Sequence, residues 1–336
     1  MSSRPDKPLK ICVVGAGAIG GILAARLARA GHTVSAIARG AHLEAIRTNG
    51  LTLRDGNETF TADVTASDNA DDLEAQDFVI ITVKAPALPG IAPTLAPLLC
   101  DDTAVVTAMN GVPWWFCDSL TGPLAGRELT ATDPGGLLAG TLNRNRLLGC
   151  VVHAGASVPE PGIVHHTAGN LFIVGDARRR VSTPATELAD AITDAGLDGR
   201  TSDDIHGEIW MKLLGNMGMG PICALTGATL AGLAGDRDVR PIAAAMIREA
   251  ANVGDALGLP MNMDAEARIN LGAELGEFKP SILQDLELGR PMEIDAMVTV
   301  VAELGAIADI PTPTIDMVLA LLRGRARRAG LYETQN

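Results

Sequence analysis

Residues 11–20 read Ile-Cys-Val-Val-Gly-Ala-Gly-Ala-Ile-Gly, a β-branched apolar run that ends at once in G-x-G-x-x-G. No other stretch limits the possible folds as strongly. A helical pattern follows in Ile22, Leu23, Ala25, Leu27 and Ala28, and Gly31 closes it. Strand, glycine turn and helix form the context in which this motif means dinucleotide binding. Gly15 permits the tight turn, Gly17 lets the backbone approach a pyrophosphate, and Gly20 lets the helix pack closely on the strand. The pyrophosphate is expected on the N–H groups of the first helical turn, Ala18 and Ile19, at the positive end of the dipole.

The next strand indicates which dinucleotide. It runs Thr33-Val34-Ser35-Ala36-Ile37-Ala38-Arg39 and contains no acid. A chain that binds NAD places Asp or Glu near this strand end to hold the ribose 2′-OH. A guanidinium instead matches a 2′-phosphate bidentately. The expected cofactor is therefore NADP(H), held in part by Arg39. The other reading of Arg39 is a solvated charge at a strand end.

At 336 residues the chain exceeds what one core usually supports, so two domains are expected. The formal net charge of −13 argues against nucleic acid and anionic membrane surfaces as partners. Cys12, Cys100, Cys117, Cys150 and Cys223 are scattered with no metal-like pair, and His153, His165 and His166 add no metal-like spacing. Reduced thiols in a cytoplasmic protein fit this pattern, and no metal is expected. Met1 to Lys10 is polar and contains Pro5 and Pro8, unlike a signal peptide. No apolar run is long enough to span a bilayer.

The first half alternates strand-like and helix-like segments. Phe78–Val83 and Ala104–Met109 are continuous apolar runs, as in parallel strands covered on both faces. Leu147–Val152 and Leu171–Val174 read as later strands, and Glu187–Ala195 as a helix. Near Ser202-Asp203-Asp204 the character changes and the chain becomes almost wholly helical, with Ser202 or Asp203 as a cap for a helix starting near Ile205. Further helices are expected at about 239–257, 264–275, 281–288, 292–308 and 314–328, each bounded by Gly or Pro signals. The expected architecture is α/β. An N-terminal Rossmann-type, doubly wound parallel sheet binds NADP over 1–203, and an all-α substrate and catalytic domain covers 204–330.

Catalysis is expected in the cleft that such an arrangement creates, beyond the carboxyl ends of the strands. Lys84 and Asn110 follow two of those strands directly; their plain readings are a solvated lysine and a turn-forming Asn-Gly pair. In the helix from Ile205, Lys212, Asn216 and Gly220 recur at i, i+4 and i+8 and so share one face. Glu208 precedes Lys212 by four residues, so an ordinary surface pair is the competing reading. Trp210, Met211, Leu213, Leu214, Met217 and Met219 make this helix apolar nearly all round. A lysine and an asparagine on a buried helix need partners or a ligand. Ser281 reads equally as a helix N-cap, and Glu293 as an acid favoured by a helix start.

Taken together, these segments resemble the ketopantoate reductases, or 2-dehydropantoate 2-reductases, over nearly the full length. The resemblance rests on GAGAIG, the strand ending in Arg39, Val83-Lys84 and Asn110-Gly111. It continues through Glu208-Ile209-Trp210-Met211-Lys212-Leu213-Leu214, Ser281-Ile282-Leu283-Gln284-Asp285 and Glu293-Ile294-Asp295. It implies NADPH-dependent reduction of a 2-oxo acid, most directly 2-dehydropantoate to pantoate, with Lys212 as general acid and Glu293 positioning the site. It further implies that Ser281 holds the substrate carboxylate and Asn216 a distal hydroxyl, with Asn110 and Lys84 lining the cofactor and substrate cleft.

One departure stands out. Where the family usually has a second asparagine before a proline, this chain has Gly220 before Pro221. The Asn110-Gly111-Val112-Pro113-Trp114-Trp115 segment also resembles a divergent branch with aromatic residues there. Two alternatives therefore accompany the main expectation. One is a reductase of another bulky 2-oxo acid, ketone or imine; the other is a non-catalytic NADP-binding sensor. A homodimer is compatible with either.

Overall fold

The apolar runs of the first half form one ten-stranded sheet. The structure, a computed structural model, describes residues 7–142 and 146–332. The chain divides into two compact units: the first holds Met109 and the residues before it together with Leu137–Ile205, the second Asn110–Gly136 and the residues from His206 onward. Pro5, in the polar N-terminal stretch, lies outside the described residues.

In the first unit, β1 (Lys10–Val14), α1 (Ala18–Arg29), β2 (Thr33–Ile37) and α2 (Gly40–Asn49) follow in order. Next come the hairpin β3 (Leu51–Asp55) and β4 (Glu58–Ala62), then β5 (Thr65–Ser67), β6 (Phe78–Ile81), α3 (Leu88–Ile91) and β7 (Ala104–Thr107). After the excursion into the second unit come α4 (Leu137–Thr141), β8 (Leu147–Glu160), β9 (Ile163–Asp176), α5 (Thr183–Asp194) and β10 (Asp198–Ser202). The strand order is β4-β3-β9-β8-β7-β6-β1-β2-β5, with β10 also on β9. Strands β5, β2, β1, β6, β7 and β8 are mutually parallel. From β1 the chain winds outward through β2, and from β6 outward through β7. The order therefore reverses between β1 and β6, the switch point at which such sheets bind ligands. Ile11, Val13, Ile22, Leu23, Leu27, Val34 and Phe172 share the core of this unit.

The sheet is mixed rather than wholly parallel. β8 and β9 form a long antiparallel hairpin around Pro161-Gly162, and β3 pairs antiparallel with β4. The sequence shows only the apolar ends of the long hairpin, Leu147–Val152 and Leu171–Val174. Its distal half, from His153 to Asn170, is largely exposed or half-buried and lacks the alternating apolar pattern that marks a strand.

In the second unit the helices are α6 (Ile205–Thr226), α7 (Leu230–Gly235), α8 (Arg240–Ala256), α9 (Ala265–Ala273), α10 (Ser281–Glu287), α11 (Val300–Ile307) and α12 (Pro313–Arg328). Asn110–Gly136 belongs here, whereas the sequence pattern puts it with the strands that precede it. An aromatic cluster anchors the segment: Trp115 meets the His206 ring edge-on at 5.5 Å, and Phe116 stacks on Trp210 at 6.1 Å. Trp114 and Trp115 are core residues, 4% and 0% exposed. The single helix expected over 292–308 is a π-turn, Asp295–Thr299, that runs into α11. The Ala296 carbonyl accepts from the Val112 N–H at 2.8 Å, a bond outside the helix ladder, and the widened turn coincides with it. Among the described residues, no helix is long and apolar enough to cross a membrane.

Candidate active site

Gly15 follows β1 in the left-handed region, at φ +97°. A Cβ there would lie 2.6 Å from the Val83 Cγ1. The turn is held from two sides: the Gly15 N–H donates to the Ile37 carbonyl at 2.9 Å, and the Thr82 hydroxyl donates to the Gly15 carbonyl at 2.7 Å. A Cβ on Gly20 would overlap the Gly15 carbonyl and the Thr82 hydroxyl, so the glycine is required for α1 to approach β1. Gly17 is different. It is exposed, and a Cβ there would meet no atom within 4 Å. It precedes Ala18 and Ile19 at the start of α1, whose first turn has no acid and no side-chain cap. This is the open, positive helix end that a pyrophosphate fits.

Two supports of this turn carry no sequence signal. His42 contacts the Ala16 carbonyl through Nε2 at 2.6 Å, and its Nδ1 accepts from the Gly162 N–H at 2.9 Å. The second bond makes Nδ1 the acceptor, so Nε2 carries the proton and donates to Ala16. Gly21 is the other. A Cβ on it would overlap a Val164 methyl, so this glycine admits β9 against α1. Only the close approach of two segments far apart in sequence reveals either role.

Arg39 directly precedes α2 with extended backbone. Its guanidinium is exposed and has no ion pair or hydrogen bond among the described residues. Lys84 follows β6 and precedes a short 3₁₀ turn, Ala85–Ala87. Both belong to the first unit, with the glycine turn.

The remaining candidates all lie in the second unit. α6 is buried along most of its circumference, and Glu208, Lys212 and Asn216 form a half-open polar stripe at four-residue spacing. The Lys212 Nζ donates to the Asn110 Oδ1 at 2.9 Å. The Asn110 Nδ2 in turn donates to the Glu293 Oε2 at 3.5 Å. Glu293 is 7% exposed and sits just before the helical turn that begins at Ile294. The Asn110 amide is therefore fixed in one orientation, its oxygen toward the ammonium and its nitrogen toward the carboxylate. Gly111 makes this possible. At φ +86° it lies so close to the Ala296 carbonyl that a Cβ would overlap it. Lys212, Asn110 and Glu293, read separately in the sequence, thus form one connected group.

Gly220 is buried at the far end of the stripe, where a Cβ would lie 3.1 Å from the Ile282 Cγ2 and 3.8 Å from the Pro280 Cβ. The start of α10 therefore flanks this end. Ser281 is exposed and is the first helical residue rather than the N-cap. The Pro280 carbonyl accepts the first helical N–H groups instead, from Leu283 at 2.9 Å and Gln284 at 3.0 Å. Its hydroxyl makes no hydrogen bond among the described residues.

Comparison with known proteins identifies the family. The family described as Ketopantoate reductase PanE/ApbA matches residues 11–179, and its C-terminal counterpart matches residues 204–326. A 2-dehydropantoate 2-reductase of Mesorhizobium japonicum is 47% identical over 96% of this chain and 100% of its own length. A solved protein from Ralstonia solanacearum MolK2, described as a candidate ketopantoate reductase, is 43% identical. It superposes with a TM-score of 0.92 over 97% of this chain and 100% of its own. The fold extends to a D-mandelate dehydrogenase solved with NADH and anilino(oxo)acetate, at 20% identity and a TM-score of 0.82, covering 96% of this chain and 100% of that one. The chain belongs to the ketopantoate reductase family.

Proposed function

We propose that the protein reduces 2-dehydropantoate to pantoate with NADPH, and that Lys212 is the general acid. The observation that carries this reading is the hydrogen-bonded series from Lys212 through Asn110 to Glu293 on an otherwise buried helix face. Family membership supplies the reaction class. Under this reading residues 1–203 serve as the NADP-binding domain and 204–330 as the substrate and catalytic domain, with Asn110–Gly136 contributing to the latter.

NADPH, when bound, supplies the hydride. The chain's own groups do the rest. Gly17 and the first N–H groups of α1 would receive the pyrophosphate, and the exposed Arg39 guanidinium would pair with the 2′-phosphate. Lys84, beyond the carboxyl end of β6, would line the cofactor's side of the reaction in the first unit. A ketone oxygen gains negative charge as hydride arrives at its carbon, so an ammonium facing that oxygen stabilises the transition state more than the ground state. Lys212 donates a proton to the oxygen and leaves a hydroxyl. Asn110, oriented by Glu293, keeps the Lys212 Nζ in place during this transfer. Ser281 holds the substrate carboxylate, and Asn216 faces its distal end. The free thiols fit a cytoplasmic setting.

The test is NADPH oxidation in the presence of a panel of 2-oxo acids. Turnover of 2-dehydropantoate is expected. Tight NADPH binding with no turnover of any 2-oxo acid, ketone or imine would overturn the reading and favour a non-catalytic sensor.

A further inference from the structure

Arg268 on α9 is a cation that the reaction as described leaves unused. It is half-buried, yet no carboxylate pairs with it and no group among the described residues hydrogen-bonds it. Burial pulls the guanidinium below its usual pKa. An arginine stripped of part of its water normally finds an anion or an oxygen acceptor. Its position is specific. The guanidinium lies on Gly215 of α6, where any Cβ would overlap it. One turn further along, Gly272 of α9 makes room for Met219 of α6, whose Cε would lie 2.6 Å from a Cβ at that position. Arg268 and Gly272 on α9 thus match Gly215 and Met219 on α6, both pairs four residues apart.

Gly215 is three residues from Lys212 and next to Asn216. Residues at i and i+3 are neighbours on a helix surface, so Arg268 borders the polar stripe one turn from the ammonium. The start of α10, with Ser281, borders the same stripe on the other flank, beside Gly220. Asn216 is itself half-buried with no hydrogen-bond partner among the described residues. Two polar side chains without partners among the described residues, one of them charged, therefore border the same stretch of α6.

We infer that Arg268, with Asn216, receives an oxygen acceptor at the distal end of the 2-oxo acid. This rests on the reductase reading above, with the substrate's carboxylate at Ser281. A distal hydroxyl or a distal carboxylate satisfies the same chemistry: either accepts from the guanidinium, and a hydroxyl also donates to the Asn216 Oδ1. Arg268 then recognises the end of the substrate that the asparagine missing at position 220 would otherwise hold, from the opposite side of α6. A site built to hydrogen-bond a substrate oxygen rejects the analogue that lacks it, because its own groups are left unpaired.

The test compares kcat/KM for three substrates: 2-dehydropantoate, with a distal hydroxyl; 2-oxoglutarate, with a distal carboxylate; and 3,3-dimethyl-2-oxobutanoate, which is 2-dehydropantoate without its hydroxyl. The wild type should favour at least one oxygen-bearing substrate over the third by tenfold or more, and which one it favours identifies the acceptor. Arg268→Met should collapse that ratio to within about threefold while kcat/KM for 3,3-dimethyl-2-oxobutanoate stays within about twofold. Arg268→Lys should restore part of it. A wild type that does not discriminate, or an Arg268→Met variant that loses all three substrates equally while still folded, would overturn the inference. If Arg268→Met does not fold, the wild-type ratio and Arg268→Lys decide alone. If the wild type reduces no 2-oxo acid, the reductase reading fails on its own. Arg268 is then judged by whether pantoate raises Tm more than 3,3-dimethyl-2-hydroxybutanoate in the wild type and equally little in Arg268→Met.

Discussion

The glycine turn after β1 and the polar stripe of α6 are both built on a helix, but they use it in opposite ways. The turn works through backbone. Gly15 and Gly20 are fixed by atoms a Cβ would strike, and Gly17, the position proposed to face the pyrophosphate, is left open. The stripe works through side chains. Lys212 and Asn216 project from a helix buried elsewhere, and Lys212 is joined to Asn110 and, through it, to Glu293, with Arg268 against the neighbouring Gly215, each on a different segment. A backbone site is written in a few consecutive residues, whereas a side-chain site is assembled from distant ones. Substitutions should therefore act differently in the two regions, through sterics in the first and through charge and hydrogen bonding in the second.

The largest effect should come from the stripe. Lys212→Ala removes the proposed proton donor, and kcat should fall by about 10²-fold or more, a usual general-acid contribution. NADPH affinity and Tm should change little, because Lys212 is half-buried on the open stripe rather than part of the apolar core. A variant that turns over its best substrate nearly as fast as the wild type would remove Lys212 from the role of acid.

The turn should separate stability from binding. Gly20→Ala puts a methyl against the Gly15 carbonyl and the Thr82 hydroxyl, and should destabilise the fold by about 1–3 kcal/mol, as overpacking does. Gly17→Ala meets nothing and should leave thermal stability intact while weakening NADPH, because its methyl occupies space the pyrophosphate needs. Thermal melts and NADPH titrations of both variants check this. The distinction fails if Gly17→Ala destabilises as much as Gly20→Ala.

Arg39 joins the two modes, since it is a side chain proposed to serve the backbone site. With no partner among the described residues, it is expected to contribute to binding rather than to folding. NADPH should bind at least tenfold more tightly than NADH, about 1.4 kcal/mol. Arg39→Ala should erase most of that gap and leave NADH nearly unchanged. Equal affinities in the wild type, measured by fluorescence titration, would overturn the assignment.

The same contrast explains what the sequence discloses. G-x-G-x-x-G, the strand without an acid and the buried-helix stripe are all local patterns, and they point to the α/β class and to Lys212. The Pro161-Gly162 hairpin does not follow from local pattern, because β8 and β9 pair along residues such as His153, His165 and His166 that carry no apolar alternation. His42 and Gly21 act through contacts across more than a hundred residues, to Gly162 and Val164. Asn110 and Glu293 are recognisable singly as a turn residue and a helix-start acid. Their joint role depends on Gly111 docking on a π-turn that the sequence reads as ordinary helix.

The smallest expected effect lies at Gly220, where sterics and hydrogen bonding meet at one position. An asparagine there would add a polar partner at the end of the stripe beside Asn216. Its Cβ would also sit 3.1 Å from the Ile282 Cγ2, so the isoleucine must yield by a few tenths of an ångström. Gly220→Ala isolates the second term, since it carries the methyl without the amide. If Ile282 relaxes, Gly220→Asn should shift the kcat/KM ratio of 2-dehydropantoate to 2-oxo-3-methylbutanoate by about 1 kcal/mol toward 2-dehydropantoate, the contribution of one ordinary hydrogen bond. Gly220→Ala should leave that ratio where it is. Helix propensity favours both changes, because glycine inside a helix costs about 1 kcal/mol relative to alanine, so neither variant should unfold from a tight methyl alone. Equal shifts in the two variants would mean that the position acts through packing against α10. No shift in either would leave the distal end of the substrate to Asn216 and Arg268.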